Sequence, residues 1–204
     1  MTMMDALVET MPGANTAPPV LLLQGTGGTN LEMLNFGRRL LPQSPLITIA
    51  GRQGVGAQRQ YFRQTASSPA DPQQILTEAT WVAQQARSVC AQHRWDWERL
   101  VTVGYSNGAA MAAYAVQSGL LPGVGVFLHP LWVPVAHPHA LTGRDLWFSA
   151  GERDPLVTPA TVQRVADACA QLGAKTTIKV TAGTHNLTPG EVLAAREWLG
   201  IHAV

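Results

Sequence analysis

The chain has 204 residues, 46% of them hydrophobic, with a formal net charge of +1. Length and apolar content suit one globular core, and the balanced, interspersed charges exclude an electrostatic footprint for nucleic acid or an anionic membrane. No apolar run approaches the roughly 20 residues that span a bilayer.

Residues 1–10 carry Asp5 and Glu9 without a basic cluster, so they do not read as a secretory signal. Residues 6–11 predict a short extra edge strand, followed by the Pro12-Gly13 turn and a linker that ends in Pro18-Pro19. Residues 1–18 are thus an edge strand and linker within a single domain covering 1–204. The main strands are expected at 20–24, 46–50, 100–105, 124–129, 146–150 and 177–180, from short apolar runs rich in Val, Ile and Leu. Helical patterns fall at 31–41, 72–91, 108–116, 159–172 and 189–199. Two of the helices open on an N-cap followed by proline, Asp71-Pro72 and Thr158-Pro159. The alternation predicts an α/β fold with a mostly parallel, doubly wound sheet and helices on both faces. Cys90 and Cys169 lie in separate helical patterns and read as buried thiols of a reduced, cytoplasmic protein.

In such a sheet the functional groups collect where strands end at their C-terminal side. After the third main strand stands Gly104-Tyr105-Ser106-Asn107-Gly108, a G-x-S-x-G sequence at a strand-to-helix junction. A serine on so sharp a turn takes strained backbone angles, and the flanking glycines let the turn close against its neighbours. Asp154 follows the fifth main strand, and His185 follows the sixth. Read along the chain, Ser106, Asp154 and His185 have the order of an α/β-hydrolase triad. His185 would take the Ser106 proton, and Asp154 would hold the imidazole in the tautomer that this needs. The backbone N–H of Asn107, with that of Thr26 in the loop Gly25-Thr26-Gly27-Gly28, would receive the oxyanion.

Each position has competitors. Glu152 is a second acid two residues from Asp154, and His93, His129, His137, His139 and His202 compete with His185; of these only His129 also ends a predicted strand. The pair His137 and His139 lacks nearby acidic or thiol ligands, so no metal is expected. The loop at 25–28 lacks the Lys-Ser/Thr of a P-loop, and residues 51–56 lack the G-x-G-x-x-G order. No nucleotide or other cofactor is expected.

Five blocks carry a resemblance that runs from about residue 19 to residue 199: LLLQGTGG, GRQGVGAQRQYFRQ, GYSNGA, GERDPLVTP and THNLTPGEVLAAREWL. On them the chain resembles the phospholipase/carboxylesterase branch of the α/β-hydrolases, which includes small bacterial esterases and acyl-protein thioesterases. The resemblance implies an α/β-hydrolase fold, cleavage of carboxylic esters through Ser106, Asp154 and His185, and oxyanion donors at Thr26 and Asn107. Two positions depart from its pattern. Gln24 precedes Gly25 where histidine is common, and Thr184 precedes His185 where glycine is usual.

Only residues 130–144 separate two of the predicted strands, too few for a helical cap domain. Met33, Leu34, Leu131, Trp132 and Val133 are candidate pocket walls, suiting an acyl group of small to moderate size. Trp132 is equally readable as half-buried packing. Arg52, Arg59 and Arg63 lie near the same rim, and Arg52 offers a partner to a substrate carboxylate or phosphate; the alternative is solvated or salt-bridged surface arginine. The leading expectation is a serine carboxylesterase that takes a small-molecule ester through an acyl-enzyme, without stable membrane anchoring, as a monomer or homodimer. The alternatives are a thioesterase or lysophospholipase using the same groups and, from another class, a noncatalytic ligand-binding protein of this fold.

Overall fold

Successive residues of a strand point to opposite faces of a sheet, and the apolar runs of this chain are filled on both faces. The computed structural model describes residues 7–64 and 70–203. Among the described residues seven strands make one sheet: β1 Val8–Met11, β2 Val20–Leu23, β3 Leu46–Ile49, β4 Val101–Tyr105, β5 Val124–Leu128, β6 Asp145–Gly151 and β7 Lys175–Thr181. Their spatial order is β1-β3-β2-β4-β5-β6-β7. β2 to β7 run parallel, while β1 pairs antiparallel with β3, Val8 opposite Ile49. The expected edge strand is therefore present at residues 8–11; residue 6 lies outside the described residues.

Among the described residues five α-helices are interspersed with the strands: α1 Asn30–Leu40, α2 Pro72–His93, α3 Asn107–Gln117, α4 Pro159–Gln171 and α5 Pro189–His202. α1 and α5 cover one face, where Met33, Leu34, Phe36, Ala195 and Leu199 pack on Val20, Leu22, Val103 and Val126. The other face takes α2, α3 and α4, packed on Leu21, Leu23, Ile47, Phe127 and Phe148. Adjacent residues such as Leu22 and Leu23, or Val126 and Phe127, thus belong to different layers. A strand buried on both faces must read as a continuous apolar run. β7, at the sheet edge, shows the opposite: its residues alternate between exposed and half-buried, with Lys175 and Lys179 exposed. That polarity is why the sequence supports only residues 177–180 of it.

The helix starts are set locally. Asp71 and Thr158 cap α2 and α4 as expected, accepting from the N–H of Gln73 and Thr161. α1 and α5 begin with reciprocal capping boxes, Thr29 with Glu32 and Thr188 with Glu191. Residues 129–144 form neither helix nor strand, so this segment supplies no helical cap.

The chain leaves β2 toward β3 on one side and later returns to β4 on the other, so β2 and β4 flank the switch point. The loops that follow these two strands are held close by glycine. A side chain at Gly108 would collide with the carbonyls of Leu23 and Gln24, and one at Gly104 would strike Gly108 and Ala109. Gly108→Ala is expected to destabilise the fold by about 1–3 kcal/mol, the usual cost of overpacking. Denaturant unfolding checks it, and wild-type stability in that variant would contradict the close packing of α3 on β2.

Candidate active site

β4 delivers Ser106 at the sheet's C-terminal end with φ 53° and ψ −116°, a backbone conformation that an L-residue adopts only when its surroundings impose it. The surroundings are evident: the Ser106 N–H donates to Leu128 O at 2.8 Å, and its carbonyl accepts from Ala110 N–H at 3.0 Å. The turn lifts the side chain off the sheet, and Ser106 Oγ lies 2.9 Å from His185 Nε2. His185 Nδ1 is 2.7 Å from Asp154 Oδ2. A hydroxyl, an imidazole and a carboxylate are joined in series across 79 residues of chain.

The loop after β6 holds Asp154 so that its Oδ1 accepts from the N–H groups of Leu156 and Val157, at 2.8 and 2.9 Å. Burial pushes this carboxyl up. Hydrogen bonds from His129, Val157, His185 and Leu156 outweigh that and hold it at about 2. Glu152, the competing acid, is exposed and makes no such contacts. The loop after β7 carries His185, whose carbonyl accepts from Tyr105 Oη at 2.8 Å while the two rings lie 5.4 Å apart. Burial, and then the charges of Asp154 and Glu191, push the Tyr105 phenol up to about 12, so it stays a donor. Thr184 in place of glycine leaves the His185 ring able to reach Ser106.

Asn107 opens α3. Its side-chain amide braces the loop after β3, with Oδ1 accepting from Tyr61 N–H at 2.8 Å and Nδ2 donating to Phe62 O at 3.0 Å. Its backbone N–H, at the helix N-terminus, donates to no described residue, and neither does that of Thr26. The loop bearing Thr26 is fixed by Gly27 N–H donating to Arg59 O at 2.9 Å and by Gly28 N–H donating to Gly25 O at 3.1 Å. Gln24, which stands where a histidine is common, gives its backbone N–H to the buried Tyr61 phenol at 3.1 Å, and that phenol donates to Ile49 O at 2.6 Å.

An open cleft of about 410 Å³ reaches Tyr105, the residue before Ser106; Thr26, Met33, Phe36 and Leu187 line it, together with the charged Glu32 and Arg39. Met33 is among the lining residues. Leu34 is not: consecutive helix positions differ by about 100° in direction, and Leu34 turns into the core against the sheet. Arg52 takes the salt-bridged alternative: its guanidinium is engaged by Glu78 in two hydrogen bonds of 3.0 Å and lies 4.2 Å above the Trp81 ring. Leu131 and Trp132 pack half-buried on the core face that holds α4, with the Arg164 guanidinium 4.0 Å over the indole. Neither lines the cleft beside Thr26.

Sequence reasoning missed one pair. His129, at the end of β5, is fully buried; its Nδ1 lies 2.7 Å from Asp154 Oδ2 and its Nε2 lies 2.9 Å from Glu191 Oε1. The available signal was its place at a strand end; for Glu191 the signal was the capping box alone. The cysteines offer no rival nucleophile. Both are buried and free, and burial pushes the thiols of Cys90 and Cys169 up to about 11 and 12.

Asp154 carries a pH prediction. Its folded value of about 2 lies below the ordinary 3.8, so the folded state binds fewer protons in that window. The stability it contributes is complete above about pH 4 and is lost as pH falls toward about 2. Asp154→Asn is expected to flatten the acid side of the stability-against-pH curve. Denaturant unfolding at graded pH reads this out, and an unchanged acid slope would contradict it.

No family model matches the chain. It is similar to the Bacillus subtilis (strain 168) protein described as "Putative hydrolase MhqD", at 27% identity over 181 residues, covering 88% of this chain and 90% of that one. Among solved structures, a Bacillus cereus carboxylesterase superposes with a TM-score of 0.88 at 25% identity, over 97% of this chain and 94% of its own. YahD with malic acid gives 0.88 at 23% identity, over 96% and 98%. Arabidopsis thaliana SOBER1 gives 0.75 at 17% identity, over 90% and 98%, a likeness of fold. With its mostly parallel sheet and relatives matched along nearly its whole length, the chain has the α/β-hydrolase fold and is similar to proteins described as a hydrolase and a carboxylesterase.

Proposed function

We propose that the chain is a serine carboxylesterase in which Ser106, His185 and Asp154 act as a catalytic triad. One observation carries the reading: Ser106 Oγ, on a strained turn, is 2.9 Å from an imidazole whose other nitrogen is 2.7 Å from a buried, ionised carboxylate. A serine hydroxyl is a weak nucleophile at neutral pH, so a base must take its proton as it adds to the acyl carbon. His185 Nε2 accepts that proton and Asp154 stabilises the imidazolium. The oxyanion forms against the N–H groups of Thr26 and Asn107, which have no other acceptor among the described residues. His185 then protonates the leaving alcohol. Water enters, gives its proton to the same imidazole, and hydrolyses the acyl-enzyme with return of the proton to Ser106.

The apolar side chains of Met33, Phe36 and Leu187 suit an acyl chain of small to moderate size, and the absence of helix or strand over residues 129–144 suits an accessible mouth. The substrate class is therefore a small-molecule carboxylic ester. A fluorophosphonate probe is expected to label Ser106 in the folded protein and to leave Ser106→Ala unlabelled; an unlabelled wild-type protein would overturn the reading. Ser106→Ala should also cut kcat on a short-chain ester by about 10⁶, as in a serine protease. Its circular dichroism should match wild type.

A further inference from the structure

His129 is unusual on three independent counts. Its backbone lies at φ 51°, in the left-handed region that a histidine enters at a cost. Its ring is fully buried, with 0% side-chain exposure. Each ring nitrogen faces a carboxylate oxygen, Asp154 Oδ2 at 2.7 Å and Glu191 Oε1 at 2.9 Å. The backbone twist at the end of β5 is fixed by His129 N–H donating to Ser149 O at 3.1 Å.

A neutral imidazole has one N–H and one lone pair. Set between two ionised carboxylates it could donate to only one of them, and its lone pair would repel the other. With Asp154 held ionised by its other donors, two arrangements avoid this with the same net charge: an imidazolium between two carboxylates, or a neutral imidazole facing a protonated Glu191. The other donors decide between them. Glu191 is the third residue of α5, where a carboxylate is favoured by the helix N-terminus, and its Oε2 accepts from Thr188 N–H at 3.4 Å. Burial pushes the Glu191 carboxyl up, but the hydrogen bond from His129, the Ser149 hydroxyl, the His129 charge and the Thr188 N–H bring it below its ordinary value. Burial pushes His129 down, and the hydrogen bonds and charges of Glu191 and Asp154 outweigh that and raise it. The other titratable groups around the ring are His185, 5.4 Å away between centroids, and Tyr105, 6.2 Å away. Burial and the neighbouring carboxylates push the Tyr105 phenol up, so it adds no charge beside the ring.

We infer that His129 is a buried imidazolium that positions Asp154, extending the relay to Ser106–His185–Asp154–His129–Glu191; the catalytic consequence rests on the esterase reading. His129 and His185 share the single oxygen Oδ2, while the two backbone donors occupy Oδ1. The carboxylate therefore cannot rotate without breaking contacts on both sides. The cation also offsets part of the Asp154 charge. A buried aspartate with no such partner would hold a protonated His185 more tightly, and the base would fill with protons at a higher pH.

Two readouts test this. Nitrogen-resolved NMR of ring-labelled histidines in the wild-type protein is expected to show two N–H protons on His129 from about pH 6 to about pH 8. Their loss in His129→Gln assigns them, and Glu191→Gln should leave one. A single N–H in the wild-type protein would overturn the inference, because the proton would then reside on Glu191. In His129→Gln the acidic limb of kcat/KM should move to higher pH by about one pH unit, with KM changed less than kcat. A uniform loss of kcat with the limb unmoved would reduce His129 to packing and overturn its positioning role. Glu191→Gln gives the same limb test if the first variant does not fold. Absence of turnover in the wild-type protein would count against the esterase reading instead, and the NMR result would still decide the charge on His129.

Discussion

The site depends on keeping one carboxylate ionised in a place where water cannot reach it. Asp154 has no exposed side-chain surface, and an isolated buried anion would simply take up a proton. Four donors prevent that: two backbone N–H groups from its own turn and two imidazoles from loops after other strands. The four donors come from three different requirements of the fold. The turn after β6 aims Leu156 and Val157, the twist at the end of β5 aims His129, and the loop after β7 aims His185.

The sheet explains why those loops meet. Parallel strands all present their C-terminal ends on one edge, so Gly25, Ser106, His129, Asp154 and His185 emerge side by side although they span most of the chain. The β2–β4 switch point opens a crevice between the Thr26 loop and the start of α3, and glycine lets the two approach closely. The rest of the support is polar and buried. Asn107 ties the loop after β3 to the turn that carries Ser106, and Tyr61 ties that same loop to the ends of β2 and β3. The first of these roles belongs to a side chain whose backbone N–H is the proposed oxyanion donor, so positioning and chemistry share one residue.

Much of this was legible in the sequence, for identifiable reasons. Strands buried on both faces read as apolar runs, and the proline after Asp71 and after Thr158 marked two helix starts to the residue. The spacing of Gly104, Ser106 and Gly108 reports a steric requirement, which is why it located the turn. What failed to show was pairing. Nothing local distinguishes Leu34 from Met33 as a cleft wall, since both are apolar and adjacent; the helix rotation between them decides. Arg52 looked available until its partner Glu78, 26 residues away, came within hydrogen-bond reach. His129 was visible as a histidine at a strand end, but its meaning required Asp154 and Glu191, and long-range buried contacts leave no pattern in a single sequence.

In the proposed mechanism the hydroxyl of Ser106 is the atom that becomes acylated. Rapid-quench mass spectrometry during turnover of a short-chain p-nitrophenyl ester reads this out. A transient adduct of one acyl group per chain is expected, mapped to the peptide that contains Ser106 and formed with the first release of nitrophenol. Turnover with no adduct at that residue, or with the acyl group mapped to another one, would contradict it.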